Sequence, residues 1–416
     1  MSGTPPTIPA ADHPAAGTGD RPRGVLTALC VTEITSWGIL YYAFPVLAPA
    51  ITADTGWSAP AITAAFSAAL VISAVVGIPV GRLLDRRGPH LLMTGGSVLA
   101  TAAVAAIALA PNPAWFAVAW ALAGVAMAAV LYQPAFAALT RYHGPGRLAA
   151  LTTLTLVAGL ASTVFAPLTD ALADQLTWRH AYLALAAVLA LVTIPLHAIV
   201  LRRPWPAADH TAGHAAGEAE RRQVRAITRS RPFVLLGIAL ALSAFAMYAV
   251  LTNLIPLLIH RGASPALAAW ALGLGGVGQV AGRLGYGFLT RRTSVRARTA
   301  GVLAVSAATT AALAAVPGPA AALIAIAVLA GASRGIATLL QATAVTDRWG
   351  PAHYGALSGV LVAPATIAGA LAPFGGAALA TALGGYPALF LTLASAAAVA
   401  AVLSLAGVPP RAEPPR

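Results

Sequence analysis

Gly81-Arg82-Leu83-Leu84-Asp85-Arg86-Arg87-Gly88 is a charged turn set between two long apolar runs, and a weaker copy, Gly-Phe-Leu-Thr-Arg-Arg, returns at 287–292. The two stretches lie 206 residues apart, and the same offset pairs Tyr42 with Tyr248, Gly56 with Gly262 and Pro167 with Pro373. It drifts by one further along, pairing the Leu-Ala-Gly triplets at 122–124 and 329–331, and Arg141 with Arg348. Turn and cap residues repeated at one spacing predict a unit that has been duplicated in parallel orientation.

The runs around these turns are too apolar for a chain that folds in water. Of the 416 residues 59% are hydrophobic and 9% charged, and the mean hydropathy is +0.80. A bilayer core of ~30 Å takes about 20 apolar residues per helical span, because in lipid every backbone polar group must be bonded within the helix. That rule predicts an all-α membrane protein with twelve spans at 25–49, 59–83, 91–110, 113–139, 148–173, 180–201, 232–259, 265–289, 299–316, 319–345, 354–381 and 384–407. They are numbered span 1 to span 12 below. The expected divisions are a tail at 1–23, a six-helix bundle at 24–201, a linker at 202–231, a second bundle at 232–407 and a tail at 408–416.

A formal charge of +13 would suggest nucleic acid in a soluble protein. Here all 25 basic residues are Arg, and all but four fall on the predicted face that carries both termini and the 81–88 turn. Arg179 and Arg261 lie on the opposite face, and Arg283 and Arg334 lie inside spans. Arginine enrichment of this kind marks the cytoplasmic side. Both termini are expected in the cytoplasm of a plasma (inner) membrane protein, with the lipid bilayer and a small solute as partners and no nucleic acid. No short apolar stretch with a small-residue cleavage site precedes span 1, so span 1 is expected to serve as the insertion signal. Cys30, the single cysteine, excludes an internal disulfide or a thiolate cluster. In the linker, His210 and His214 share a helix face but have no further ligand nearby, so neither a metal site nor a cofactor is expected.

Twelve spans, two parallel six-helix halves and Gly81-Arg82-Leu83-x-Asp85-Arg86-x-Gly88 after span 2 resemble the major facilitator superfamily of secondary transporters, over the whole chain. The resemblance implies a non-enzymatic carrier, expected as a monomer, that works by alternating access. It also implies that Gly81, Arg82, Asp85, Arg86 and Gly88 latch the halves on the cytoplasmic side. The Gly77-x-x-x-Gly81 pair predicts a close approach of another helix there. In the second copy Arg291 stands where Asp85 stands in the first, so the carboxylate is missing from that turn.

Two enzyme-like motifs fail on context. Gly331-Ala-Ser-Arg-Gly335 fits a nucleophile elbow and Gly273-Leu-Gly-Gly-Val-Gly278 a dinucleotide fingerprint, but both lie inside apolar helical runs with no strand beside them. Tight helix packing accounts for their small residues.

Charge inside a bilayer costs about 2.5–3.5 kcal/mol on insertion scales, so the ionisable residues within spans are the candidates for function. Glu33, Trp37 and Tyr41 have i, i+4, i+8 spacing and form one stripe on span 1. Glu33 is the only carboxylate deep in a span, and desolvation favours its protonated form. It is the candidate proton site, the alternative being a packing acid bonded to a neighbouring Thr or Arg. Arg283 occupies the repeat position of Gly77 and Arg334 that of Met127, so each cation was placed in one half only. Both remain charged, which with one ionised carboxylate leaves the cavity at about +1, a charge that a bound anion would balance. The structural alternatives are a snorkelling Arg283 and an Arg334 bonded to helix carbonyls. Tyr132, Gln133, Tyr248, Asn253 and Gln279 complete the candidate binding residues, with Gln341 as a further polar position.

Trp-Gly-x-Leu-Tyr-Tyr at 37–42 followed by Thr-Gly-Trp-Ser at 55–58 looks like the monocarboxylate and oxalate–formate branch of that superfamily. That branch carries an Asp-x-x-x-Arg pair in span 8, where this chain has Gln279-x-x-x-Arg283. The resemblance implies anion binding by Arg283, and proton coupling would fall to Glu33. The sequence-based function is therefore transport of a small organic anion such as a monocarboxylate, coupled to protons or exchanged. The alternative is efflux of a drug, metabolite or metalloid compound by a proton antiporter of the same fold.

Overall fold

Polar residues set the ends of the helices. Ser58 and Ser264 begin spans 2 and 8 by accepting the backbone N–H of Ala61 (3.3 Å) and Leu267 (3.2 Å), and each cap precedes a proline in the first turn. Gly56 and Gly262, at φ +70° and +83°, close spans 1 and 7 in the left-handed conformation that glycine adopts without strain. Both pairs keep the 206-residue offset.

The computed structural model describes residues 23–143, 147–205, 218–350 and 354–408. Most of both tails and the middle of the linker, with His210 and His214, lie outside the described residues. Eleven described helices are long and apolar enough to cross a membrane. The twelfth, Pro265–Arg292, has 28 residues, but its glycines, Gln279 and Arg283 dilute its apolar character. The fold is therefore the all-α architecture of twelve membrane helices expected from the sequence. The linker carries a helix at Glu218–Thr228.

The packing repeats in the two halves. Span 2 packs on span 4 and span 8 on span 10; span 3 packs on span 6 and span 9 on span 12. The halves meet through spans 2 and 11 and through spans 5 and 8. Large apolar side chains such as Leu91, Leu191, Ile199 and Leu284 are 68–77% exposed, an outward-facing surface suited to lipid.

Glycine brings span 8 against span 10. A Cβ on Gly331 would stand 2.0 Å from the Gly275 carbonyl, and one on Gly335 2.0 Å from that of Gln279. In the other direction a Cβ on Gly278 would meet the Val328 carbonyl at 2.1 Å. The two enzyme-like motifs thus face each other across one helix interface.

The two arginines on the face opposite the 81–88 turn have matching duties. Arg179 donates to the Ala108 and Ala110 carbonyls at 2.9 and 2.8 Å. Arg261 donates to those of Ala314 and Val316, which are the repeat equivalents of the first two. Each cation sits at the C-terminal, negative end of a helix dipole and satisfies carbonyls that have no helical partner there. Burial pushes the Arg261 guanidinium below its ordinary range.

Candidate functional site

Three helices of the first half are interrupted. Span 1 carries a π-helical turn at Gly38–Tyr42, just before Pro45, whose ring would clash with the Tyr41 carbonyl in a regular helix. Gly38 makes room there for Phe165, since a Cβ would fall 2.1 Å from its ring. Span 4 breaks at Leu131, which is extended at φ −91° and ψ −166°, three residues before Pro134. Span 5 breaks between Ala158 and Ala161.

Between the halves lies a cavity of about 340 Å³ lined by spans 1, 2, 4, 7, 10 and 11. Trp37, Tyr41, Tyr132, Gln133, Tyr248 and Gln341 are among its walls. The aromatic rings form a continuous belt: Trp37 lies 5.5 Å from Tyr41 and 5.0 Å from Tyr132, and Tyr41 lies 6.5 Å from Tyr248, centroid to centroid. The π-turn begins after Trp37, so Glu33 and Trp37 keep their helical spacing, and Trp37 and Tyr41 line the same space on either side of the turn.

The charged candidates stand behind this belt. Arg283 is 8% exposed and donates to the Thr155 carbonyl of span 5, just before the break. It does not snorkel to the interface. Gly159 makes room for it, since a Cβ there would lie 3.0 Å from the guanidinium Nη1. Arg334 is half-buried and donates to the Gln279 side-chain oxygen at 3.3 Å rather than to helix carbonyls. The Tyr248 hydroxyl interacts electrostatically with both arginines, that of Tyr41 with Arg334, and that of Tyr132 with Arg283 and Glu33.

Glu33 is fully buried, and neither carboxyl oxygen has a hydrogen-bond partner. The neighbouring Thr or Arg bond considered from the sequence is not made. The Trp37 indole is within electrostatic reach of Glu33, but its N–H closes no hydrogen bond.

Asn253 is placed elsewhere. Its side-chain amide donates to the Ala249 carbonyl at 2.9 Å and packs where a Cβ on Gly376 would come within 2.5 Å, between spans 7 and 11. A helical asparagine and a cavity asparagine look alike in sequence, and only the rotation of span 7 separates them.

On the face opposite the 81–88 turn the cavity is closed. The Phe374 backbone N–H donates to Ser67 Oγ at 3.0 Å, joining spans 11 and 2. Thr163 Oγ1 donates to the Gly273 carbonyl at 2.7 Å, joining spans 5 and 8.

At the 81–88 turn the expected helix approach is half present. A Cβ on Gly77 would meet the Gln133 side chain at 2.6 Å, but one on Gly81 would have nothing within 4 Å. The approach is thus a side chain filling one glycine notch. Gly88, at φ +76°, lies under Trp205 of the linker, whose ring also takes Arg141 at 4.4 Å. Arg82 and Arg86 are exposed, and the Asp85 side chain lies outside the described residues.

The second half has a polar cluster that the sequence reading missed. Arg298 pairs with Asp347 at 2.5 Å, and Thr343 joins Asp347 at 3.1 Å and the Tyr286 hydroxyl at 2.7 Å. Arg348 holds Thr299 at 2.7 Å and the Gly407 carbonyl at 2.9 Å. Burial pushes its guanidinium down to about 10 while Asp347 opposes the shift. Asp347 supplies a carboxylate on the face where Arg291 replaces one. Arg141 and Arg348, paired by the repeat, each grip the chain close to the C-terminal end of the last span of its own half.

A pseudo-twofold bundle of membrane helices, with interrupted helices around a cavity between its halves, is the architecture of a secondary transporter. The sequence matches the Major Facilitator Superfamily over residues 29–363 and again over 260–416. The chain belongs to that superfamily and is a multi-pass membrane protein. It is 25% identical over 267 residues to monocarboxylate transporter 13 of Bos taurus, covering 63% of this chain and 58% of the bovine one. It is 33% identical over 159 residues to an uncharacterized 38 kDa protein of Thermoproteus tenax, covering 38% of this chain and 42% of that protein. The chain thus spans about half the length of these curated relatives.

Solved structures share the fold. A bacterial homolog of the human lysosomal transporter Spinster, inward-facing and unoccupied, aligns with a TM-score of 0.68 at 18% identity, over 94% of both chains. The nucleoside transporter NupG aligns with a TM-score of 0.73 at 13% identity, over 92% of this chain and 98% of its own.

Proposed function

We propose that this protein moves a small organic anion, such as a monocarboxylate, by alternating access, coupled to protons or in exchange. The observation that carries this reading is the placement of Arg283 and Arg334 behind the cavity wall. Among the described residues neither guanidinium is paired with an acid: Arg283 is held by the Thr155 carbonyl and lies against the Tyr132 hydroxyl, and Arg334 is held by the Gln279 side-chain oxygen. A cation removed from water without a counter-charge favours an anionic ligand. Similarity to a monocarboxylate transporter supports the same reading.

In this reading Arg283 and Arg334 contact the anion, and Gln279 orients Arg334. Trp37, Tyr41, Tyr132, Gln133 and Tyr248 line its path. Asn253 serves helix packing instead. Glu33 carries the proton, because a fully buried carboxyl without a partner is easiest to keep as the neutral acid. The two halves are 24–201 and 232–407, rocking about the cavity as a monomer in the plasma membrane with both termini cytoplasmic. On that topology the closure at Ser67 and Phe374 is on the outer side, and Gly81, Arg82, Asp85, Arg86 and Gly88 belong to the inner latch.

The test is uptake of a labelled monocarboxylate panel into liposomes containing the purified protein. Electroneutral uptake with protons, lost in Arg283→Ala, is expected. Unchanged transport in that variant would reject the assignment. Flux of a neutral or cationic amphiphile with no carboxylate flux would establish the efflux reading in its place.

A further inference from the structure

We infer that the carried anion has a bulky, ring-bearing body, an aryl-substituted carboxylate rather than a two- or three-carbon acid. This rests on the anion reading above and extends it to the part of the solute away from the charge.

Size is the first ground. The cavity of about 340 Å³ has room for far more than one or two waters. A two-carbon acid would leave most of that space to solvent, and its body would touch little of the wall.

Shape and chemistry are the second. One wall is the aromatic belt of Trp37, Tyr41, Tyr132 and Tyr248, and the floor beside it is apolar, with Leu70, Met127 and Leu131. Span 11 adds Ala365, Gly369 and Ala370, all small, and Tyr248 of the belt packs directly on Gly369, where a Cβ would lie 2.8 Å from its ring. Aromatic rings with apolar and small neighbours offer a planar ring faces and edges to stack on, at offset or edge-on geometry. A short hydrophilic acid gains little from such a lining.

The residues that set the size limit are then Ala74 and Thr366, which line the cavity from spans 2 and 11. Neither is fully buried, so enlarging them fills space without disturbing the core. They are specificity-determining positions rather than contacts to the charge.

The experiment compares labelled phenylacetate and phenylpyruvate with acetate and pyruvate, using the full chain in liposomes and thermal stabilisation of the purified protein. A KM about tenfold or more lower for the aryl acids than for the short acids is expected, the scale that ring burial supports. Ala74→Leu and Thr366→Leu should raise the KM for the aryl acids by roughly tenfold and that of any short acid by much less. Equal or better transport of acetate and pyruvate would overturn this inference while leaving the anion reading intact. Transport of no carboxylate, in protein that binds neutral aryl compounds, would overturn both.

Discussion

The Arg283 guanidinium of span 8 donates to the Thr155 carbonyl of span 5, across the interface between the two halves of the protein. Thr155 lies in the last turn of the first segment of span 5, which stops at Ala158 before the helix resumes at Ala161. Its carbonyl also accepts the Gly159 backbone N–H at 3.0 Å and lies at the negative end of that segment. A cation held at such an end is held by a neutral group, which an anion can displace.

Gly159 provides the space for this contact, so a larger side chain there should push Arg283 away. Gly159→Val is expected to lower the rate of carboxylate uptake by roughly tenfold or more, as loss of one charge-assisted hydrogen bond implies. Gly159→Ala should have a smaller effect, because its Cβ meets Nη1 at 3.0 Å and a small shift relieves it. Arg283→Lys should also be impaired, since an ammonium keeps the charge without the planar fork. Liposome uptake, normalised to folded protein by gel filtration, reads all three.

Glu33→Gln should separate solute movement from proton movement. The amide has the shape of the neutral acid but carries no proton that can leave. Counterflow of labelled solute should persist in the variant, while the stimulation of uptake by a pH gradient should disappear. An unaltered response to the gradient would remove Glu33 from the coupling route.

The glycine interlock between spans 8 and 10 predicts a sharp positional effect on stability. Gly331→Leu drives a side chain into the Gly275 backbone and should prevent the pair from closing, with loss of monodisperse protein in detergent. Overpacking of this kind costs about 1–3 kcal/mol even where neighbouring side chains can move, and here the obstacle is backbone. Gly95→Ala, with nothing within 4 Å of its Cβ, should leave the melting temperature unchanged.

Asp347 and Arg298 form a largely buried pair, with side-chain exposures of 26% and 5%. Asp347→Ala leaves the Arg298 charge buried without its acid, and a cost of about 3 kcal/mol is expected from such losses. A fall in melting temperature, partly reversed by adding Arg298→Met, would identify the unpaired charge as the cause.

Hydropathy and the offset of 206 residues were enough to read the membrane class, the spans and the duplication, because the bilayer imposes one rule on every span regardless of its neighbours. They also picked out Glu33, Arg283 and Arg334, since a charge in an apolar run is visible without a structure. Pro45 and Pro134 were signals for the irregular turns near Tyr41 and Tyr132, each lying within four residues of the distortion it accompanies. Rotation and partnership were not legible. Nothing local distinguishes Asn253, which packs between helices, from Tyr248, five residues earlier, which lines the cavity. The Arg298 and Asp347 pair, the helix-capping arginines at 179 and 261 and the Thr155 carbonyl beneath Arg283 join groups that lie far apart along the chain. Composition acts residue by residue along one helix, whereas a site is built where several helices meet. The axial level and facing of each helix are decided by glycine notches, proline breaks and capped carbonyls acting together in the folded bundle.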